Sequence, residues 1–270
     1  MNKVDFIVVG CMKAGTTTVV QHLNSHPDVS CLVNELQYFS DDTKFDQGIS
    51  WYHQQLKTNL DCKLVGEKST AYSYLPQSAR RISQYNSQTK LIWVLRNPVK
   101  RAYSNYWHAV MAGVEKKSFQ SCIEQHLSDK NIPLFEDYLA RSCYVLQVKN
   151  FLKHFPLQQM HFVFIEDLWL DSNTVLKGLA DFLNISNSFR TEQQELRVNV
   201  GYKPFSINME FYTRKLFGGG IVWKLVHEFN RRFGSPYPKI NTEDANKLES
   251  YFAPFNEELF RIIECERKKW

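Results

Sequence analysis

From Gly10 to Thr18 the chain reads Gly-Cys-Met-Lys-Ala-Gly-Thr-Thr-Thr. The apolar run Phe6 to Val9 leads into it, and Val19, Val20 and Leu23 follow at helical spacing before Pro27. A glycine-bounded turn between a strand and a helix aims backbone N–H groups at an anion, assisted by the helix N-terminus. Lys13 supplies a full positive charge there, and Thr16, Thr17 and Thr18 supply hydroxyls. With Ala14 and Gly15 they form a candidate cradle for a phosphate-like group. A nucleotide-triphosphate P-loop shares the Gly-x4-Gly frame but needs Lys and Ser/Thr directly after the second glycine. Here Thr16 stands in that place and the lysine lies inside the loop. The pattern suits a phosphate-like anion rather than Mg-ATP. A purely structural turn is the plainer alternative.

A second constellation follows the apolar run Lys90 to Leu95, which ends in Arg96-Asn97-Pro98. An arginine at the carboxyl end of a central strand stands where open α/β sheets place their ligands. Ser104 falls about two turns into the helix that Pro98 begins. A guanidinium and a hydroxyl there can hold a second phosphate by charge-assisted hydrogen bonds. The alternative is an arginine and a serine that cap and pack. His108 lies one further turn along the same helix and is a candidate base, or else a packed helix histidine.

Together, the segments KAGTTT and LRNPVKRAYSNY, in order and about 80 residues apart, resemble the two nucleotide signatures of sulfotransferases that use 3′-phosphoadenosine 5′-phosphosulfate. The resemblance continues through NELQYFSDD, GEKSTAYSY and Tyr144 to Pro156, to the C-terminal helix. It is closest to soluble bacterial sulfotransferases and the catalytic domains of heparan sulfate sulfotransferases. It implies that Lys13 to Thr18 cradle the 5′-phosphosulfate, with Lys13 stabilising the bridging oxygen as the S–O bond breaks. It implies 3′-phosphate contacts for Arg96 and Ser104. A late loop, Asn199 to Pro204, would fold over the nucleotide, with Tyr202 and Lys203 as further contacts. Glu35 aligns with the general base of the heparan-type enzymes, and Lys68 with a lysine lining the same cleft. Gln37 departs from that pattern, since some members carry histidine there. His108 is the competing base.

These residues require a frame. Continuous apolar runs at Phe6–Val9 and Lys90–Leu95, with short strands at 29–33, 63–67 and 160–165, read as strands of a parallel sheet buried on both faces. Helices are expected at 16–26, 77–85, 98–113, 118–127, 142–154 and 172–183, and from 241 to 267 with a break at Pro254. Asn34 to Ser50 reads as polar and irregular, and Gly218-Gly219-Gly220 as a flexible hinge. The expected fold is α/β, one domain over 1–270, with a central parallel sheet flanked by helices.

Composition agrees. The chain has 270 residues, 43% hydrophobic and 23% charged, ample for a core and unlike a disordered or disulfide-stapled chain. No apolar run approaches the roughly 20 residues of a membrane span, and no apolar leader is apparent. The six cysteines are scattered and read as reduced, mostly buried thiols. His22 and His26 have helical spacing but lack a ligand set, so no metal is expected. Aromatic residues such as Trp51, Tyr52, Tyr72, Tyr74 and Trp107 suit a core or an acceptor wall. The net charge of +5 is concentrated between Lys203 and Lys239, with seven basic against two acidic residues. That suggests an anionic ligand or acidic surface partner, or else a solvated helix face.

The reading is a cytoplasmic, metal-independent sulfotransferase that leaves adenosine 3′,5′-bisphosphate as product. Its acceptor would be a hydroxyl or amine of a small molecule or carbohydrate, as in the tailoring of secondary metabolites; no nucleic-acid partner is expected. The rivals are a P-loop small-molecule kinase and a non-enzymatic anion-binding protein.

Overall fold

The computed structural model describes residues 3–56, 62–128, 137–190, 201–266 and 270. Its internal packing divides the chain into two compact units. One comprises Met1–Asn97, Val145–Val198 and Arg261–Cys265; the other comprises Pro98–Tyr144, Asn199–Phe260 and Glu266–Trp270.

The first unit opens with β1 (Phe6–Gly10), α1 (Thr16–Asn24) and β2 (Val29–Leu32). After them come α2 (Asp42–Phe45), α3 (Gly48–Gln55), β3 (Leu64–Lys68), α4 (Gln77–Tyr85) and β4 (Lys90–Leu95). The chain then leaves this unit through α5 (Pro98–Met111) and α6 (Phe119–Ser128). It re-enters during α7 (Tyr144–Leu152), then adds β5 (Met160–Phe164), α8 (Ile165–Leu170) and α9 (Ser172–Leu183). The five strands form one parallel sheet in the order β2-β3-β1-β4-β5. All five residues of β1, and all but the first of β4, are buried, so both faces of the sheet are covered.

This order has a functional consequence. From β1 the chain proceeds to β2 on one side, and from β4 it proceeds to β5 on the other. The neighbouring strands β1 and β4 therefore flank a topological switch point, where α/β sheets bind ligands beyond the strands' carboxyl ends. The pairing of β1 with β4 skips Val9, so that Val8 faces Ile92 and Gly10 faces Trp93. This bulge leads β1 into its loop, and the Cys11 amide donates to the Val94 carbonyl at 2.8 Å.

The second unit is built on α5 and α6. Val99, Ala102, Tyr103, Tyr106, Trp107 and Val110 of α5 pack with Phe119, Cys122 and Ile123 of α6. Leu248 and Phe252 complete this core from α12 (Thr242–Ile262). Before α12, β6 (Tyr202–Lys203) pairs antiparallel with β7 (Ser235–Pro236), and between them lies the hairpin of α10 (Ile207–Phe217) and α11 (Ile221–Arg232).

Several expectations need correction. The stretch 34–50 is not irregular throughout: Asp41 caps α2 by accepting from the Lys44 amide at 3.0 Å, and α3 starts at Gly48. Helix α8 follows β5 with no glycine or proline between them, so no local signal marks it. The last helix passes unbroken through Pro254 and ends at Ile262, while Arg267 lies outside the described residues. A buried proline-flanking core, Leu248 and Phe252 before it and Leu259 and Phe260 after it, holds the helix despite the missing amide. The three glycines at 218–220 form the turn of the α10–α11 hairpin. The expectation for the cysteines holds: no disulfide joins any of them, and Cys11, Cys31, Cys122 and Cys143 are buried. His26 is committed locally: Nδ1 accepts from the Asp28 amide at 3.1 Å, and Nε2 lies 2.9 Å from the Ser186 carbonyl.

Candidate active site

The loop from β1 to α1 is shaped by two residues in left-handed backbone. Lys13 has φ 65° and Gly15 has φ 95°. At Gly15 a side chain is excluded twice over, because a Cβ would also lie 2.7 Å from two carbons of Ile165. Gly15 is the N-cap of α1 and offers no side-chain cap. The Thr18 amide donates to the Gly15 carbonyl at 3.1 Å, so the amides that the helix start offers to another acceptor are those of Thr16 and Thr17. Thr16 and Thr18 are buried, Ala14 is fully buried, and Lys13 and Thr17 are half-buried. A turn followed by a helix start, with lysine and threonines at its rim, fits a phosphate-like anion.

Arg96 follows the last residue of β4 and joins this loop directly. Its Nη1 donates to the Lys13 carbonyl at 3.2 Å. The adjacent Asn97 amide donates to Glu166 Oε1 at 2.9 Å, which ties the end of β4 to α8. Two residues named on separate sequence motifs are therefore neighbours.

The other pair of predicted residues also meets. Glu35 lies in the loop after β2, and Lys68 ends β3; Lys68 Nζ is 3.3 Å from Glu35 Oε1. Thr70 donates to the same carboxylate from its amide at 3.2 Å and from Oγ1 at 2.9 Å. The segment after β3 runs on beside β1, with the Ser69 and Ser73 amides donating to the carbonyls of Val8 and Val9. Gly10 is packed against Ser73, since a Cβ there would lie 2.5 Å from its Oγ. The Glu35–Lys68–Thr70 cluster is thus rooted at the same sheet edge as the anion loop.

Beneath this cluster lies a carboxylate whose role the sequence reading misses. Glu67 is fully buried and accepts from Tyr72 Oη at 2.8 Å, Tyr52 Oη at 3.0 Å and Ser69 Oγ at 3.0 Å. Burial pushes its carboxyl up to about 7, against the downward pull of those three donors and with Glu35 adding to the rise. Ser69 Oγ in turn accepts from the Gln37 amide at 2.9 Å. Gln37 has φ 57°, and its carbonyl takes the amides of Ser40 and Asp41. Glu67 therefore holds Ser69, and Ser69 holds the loop that carries Glu35. Tyr52 and Tyr72 are core residues, as expected of such aromatics, but their hydroxyls have this polar task. The available sequence signal is a charged residue inside the apolar strand 64–68.

The remaining predicted residues belong to the second unit. Ser104 is buried on α5, whereas His108 one turn later is exposed. Tyr202 and Lys203 form β6, and the Tyr202 amide lies 3.3 Å from Met111 Sδ near the end of α5. Burial pushes the Tyr202 hydroxyl up to about 12; it has no hydrogen-bond partner among the described residues. Lys203 is exposed. Asn199 and Val200 of the expected late loop lie outside the described residues. No cluster of three metal-ligating side chains occurs among the described residues.

Comparison with known proteins places these features in a family. The chain is 28% identical over 261 residues to human heparan sulfate glucosamine 3-O-sulfotransferase 3B1, covering 95% of this chain and 62% of that protein. It is 26% identical over 260 residues to mouse heparan sulfate glucosamine 3-O-sulfotransferase 5, with 95% and 71% covered. It thus spans about three-fifths of the length of relatives such as the first. A sulfotransferase from Alicyclobacillus acidocaldarius shares the fold at a TM-score of 0.72 and 20% identity, over 99% of this chain and 98% of that one. The sulfotransferase domain from the curacin biosynthetic pathway aligns at a TM-score of 0.51 and 15% identity, over 93% and 98%. Residues 3–252 match the family model described as the sulfotransferase domain, and the chain belongs to that family.

Proposed function

We propose that this chain transfers a sulfuryl group from 3′-phosphoadenosine 5′-phosphosulfate to a hydroxyl of a carbohydrate or small-molecule acceptor, leaving adenosine 3′,5′-bisphosphate. The observation that carries the reading is the presence, at one sheet edge, of an anion loop bearing Lys13 and a carboxylate, Glu35, held by Lys68 and Thr70. A simple anion carrier has no need for the second cluster; a kinase would use such a carboxylate too, but its P-loop would carry lysine where Thr16 stands. The family's membership supports the donor. The names of the curated relatives favour a sugar hydroxyl over an amine.

In the proposed reaction the acceptor oxygen attacks sulfur in line with the departing 5′-phosphate. The S–O bond to that phosphate breaks, and the acceptor proton passes to Glu35. Lys13 and the first-turn amides of α1 neutralise charge on the leaving oxygen, which is the main demand of such a transfer. Lys68 and Thr70 keep the Glu35 carboxylate in one place, so little orientation remains to be achieved when the acceptor binds. Arg96 takes the 3′-phosphate while bracing the loop at the Lys13 carbonyl. Roles for Ser104, Tyr202 and Lys203 as nucleotide contacts, and for His108 as the competing base, rest on the motif resemblance. The reaction proceeds without a metal, and the chain acts in the cytoplasm.

The test is an acceptor panel that includes glucosamine-containing oligosaccharides, incubated with labelled donor and read by mass spectrometry. Gain of one sulfonate on an acceptor supports the reading. Transfer of phosphate from ATP with magnesium, and none from the sulfonate donor, would return the protein to the kinases.

A further inference from the structure

The α10–α11 hairpin of the second unit is folded with its polar groups inside. Glu210 is fully buried, accepts from Asn230 Nδ2 at 2.6 Å and lies 2.8 Å from His227 Nδ1. The Arg214 guanidinium sits 4.6 Å from the Trp223 ring, which stacks on His227 at 4.9 Å. These contacts close the inner faces of the two helices. The large apolar side chains are turned outward instead: Leu216 is 74% exposed, Ile221 71% and Leu225 67%. Phe217 at the turn, and Phe229 and Phe233 along the same side of α11, are also about half exposed. At 3.6 residues per turn, positions 221, 225, 229 and 233 form one stripe. Apolar exposure this concentrated marks an interaction surface rather than scattered surface residues.

Charge identifies what the surface meets. Lys215, Lys224, Arg231 and Arg232 are all exposed and flank the apolar stripe and tip. Of the two acidic residues of the segment, one is turned inward and the other offsets only Arg231, which leaves Lys215, Lys224 and Arg232. Glu210 is enclosed, and Glu228 is engaged by Arg231 at 2.7 Å. A second copy of the chain would bring one set of cations against another across an isologous contact. A soluble polyanion would satisfy the cations and leave the apolar stripe in water. An anionic bilayer answers both requirements: phosphate headgroups for the cations, and the acyl boundary for the apolar side chains.

We propose that the α10–α11 hairpin docks this protein on anionic lipid surfaces. Leu216, Phe217, Ile221 and Leu225 enter the headgroup–acyl boundary, and Lys215, Lys224 and Arg232 meet lipid phosphates. Docking of this kind is peripheral; no helix among the described residues is long and apolar enough to cross a membrane. It is independent of the donor chemistry, so vesicle binding and sulfonate transfer can fail separately.

The test is cosedimentation of the full chain with vesicles of equal parts phosphatidylglycerol and phosphatidylcholine, with pure phosphatidylcholine vesicles alongside. Binding is expected to the mixed vesicles, weakening with added salt. L216E/L225E should reduce it roughly tenfold or more, because two apolar anchors are lost. K215A/K224A/R232A should reduce it by about fivefold per cation. All these side chains are exposed, so unchanged thermal melting should accompany both effects; if the glutamate variant fails to fold, L216S/L225S replaces it. No binding of the wild-type chain to mixed vesicles overturns the proposal. So does binding that L216E/L225E leaves intact, which would mark a charge site for a soluble polyanion. A wild-type dimer seen by light scattering and abolished by L216E/L225E, without vesicle binding, would assign the surface to a second copy.

Discussion

Lys68 Nζ lies 3.3 Å from Glu35 Oε1, joining the loop after β2 to the end of β3. The lysine side chain is 7% exposed and the glutamate 26%, so the pair is enclosed on the lysine side and open on the glutamate side. Thr70 holds the same carboxylate from its amide and its hydroxyl. A proton acceptor needs this combination of a fixed position and an accessible edge.

Glu35→Gln should therefore bind adenosine 3′,5′-bisphosphate as the wild type does, yet transfer sulfonate about 10²–10⁴-fold more slowly. The amide keeps an oxygen for Thr70 but cannot take the acceptor proton. His108→Ala, on the exposed side of α5, should retain turnover. Steady-state kinetics at saturating acceptor check both variants. Near-normal turnover by Glu35→Gln with loss in His108→Ala would move the base to α5 and leave Glu35 as a loop anchor.

Lys13 and Arg96 should separate in a different way. Lys13→Ala should lose both nucleotide affinity and turnover, because the side chain meets the donor in the ground state and the leaving charge in the transition state. Arg96→Ala should weaken binding of adenosine 3′,5′-bisphosphate roughly ten- to a hundred-fold, the value of one charge-assisted phosphate contact. It should change AMP binding much less. Calorimetry with the two nucleotides measures this, and equal affinity of the wild-type chain for both would refute a 3′-phosphate contact at Arg96.

Much of this arrangement is legible in one dimension because it is local. Gln77–Tyr85, Lys90–Leu95 and Ser172–Leu183 are helix, strand and helix as their periodicity predicts. Lys13 and Arg96 stand out because a lysine in a glycine turn and an arginine at a strand end are unusual. The support for Glu35 is not local. Thr70 is 35 positions away, and nothing in an isolated Ser-Thr pair says that it will face a carboxylate from another loop. Tyr52 and Tyr72 satisfy every rule for core aromatics, and only the folded sheet edge reveals Glu67 between their hydroxyls. Helix α3 escapes notice because it is eight residues long and buries Tyr52 alone, so no apolar periodicity marks it. Pro254 is misleading because tertiary packing on both sides outweighs its local effect.

Chelation should not affect the reaction. The positive charge that phosphoryl transfer draws from magnesium is assigned here to Lys13 and the amides at the start of α1. Transfer rates with and without EDTA, at saturating donor, should agree. A strict requirement for a divalent ion would show that the loop holds a metal-bound nucleotide after all.

Glu67 gives the chain a distinct dependence on pH. Burial raises its carboxyl from 4.5 to about 7, although Tyr72, Tyr52 and Ser69 all donate to it. In the unfolded chain the group ionises near its ordinary value. Below that value it is protonated in both states, and its contribution is fully present. As pH rises toward 7 the unfolded chain releases the proton more readily than the folded one, and stability is lost until the folded group has also ionised. The loss over that window amounts to at most about 3 kcal/mol. Glu67→Gln removes the titration while keeping acceptor capacity for the tyrosines. Its melting temperature should therefore rise relative to the wild type between pH 5 and pH 8 (roughly the window from the unfolded to beyond the folded value), and the difference should flatten above it. A difference that stays constant over the range would show that Glu67 is ionised throughout, with its three donors outweighing burial. Turnover provides a second readout, since Ser69 links Glu67 to the Gln37 amide in the loop that carries Glu35. If that link positions the base, Glu67→Gln should lower kcat with little change in KM for the donor. Ser69→Ala should do the same while leaving the Glu67 titration in place, displaced upward by the loss of one of its donors.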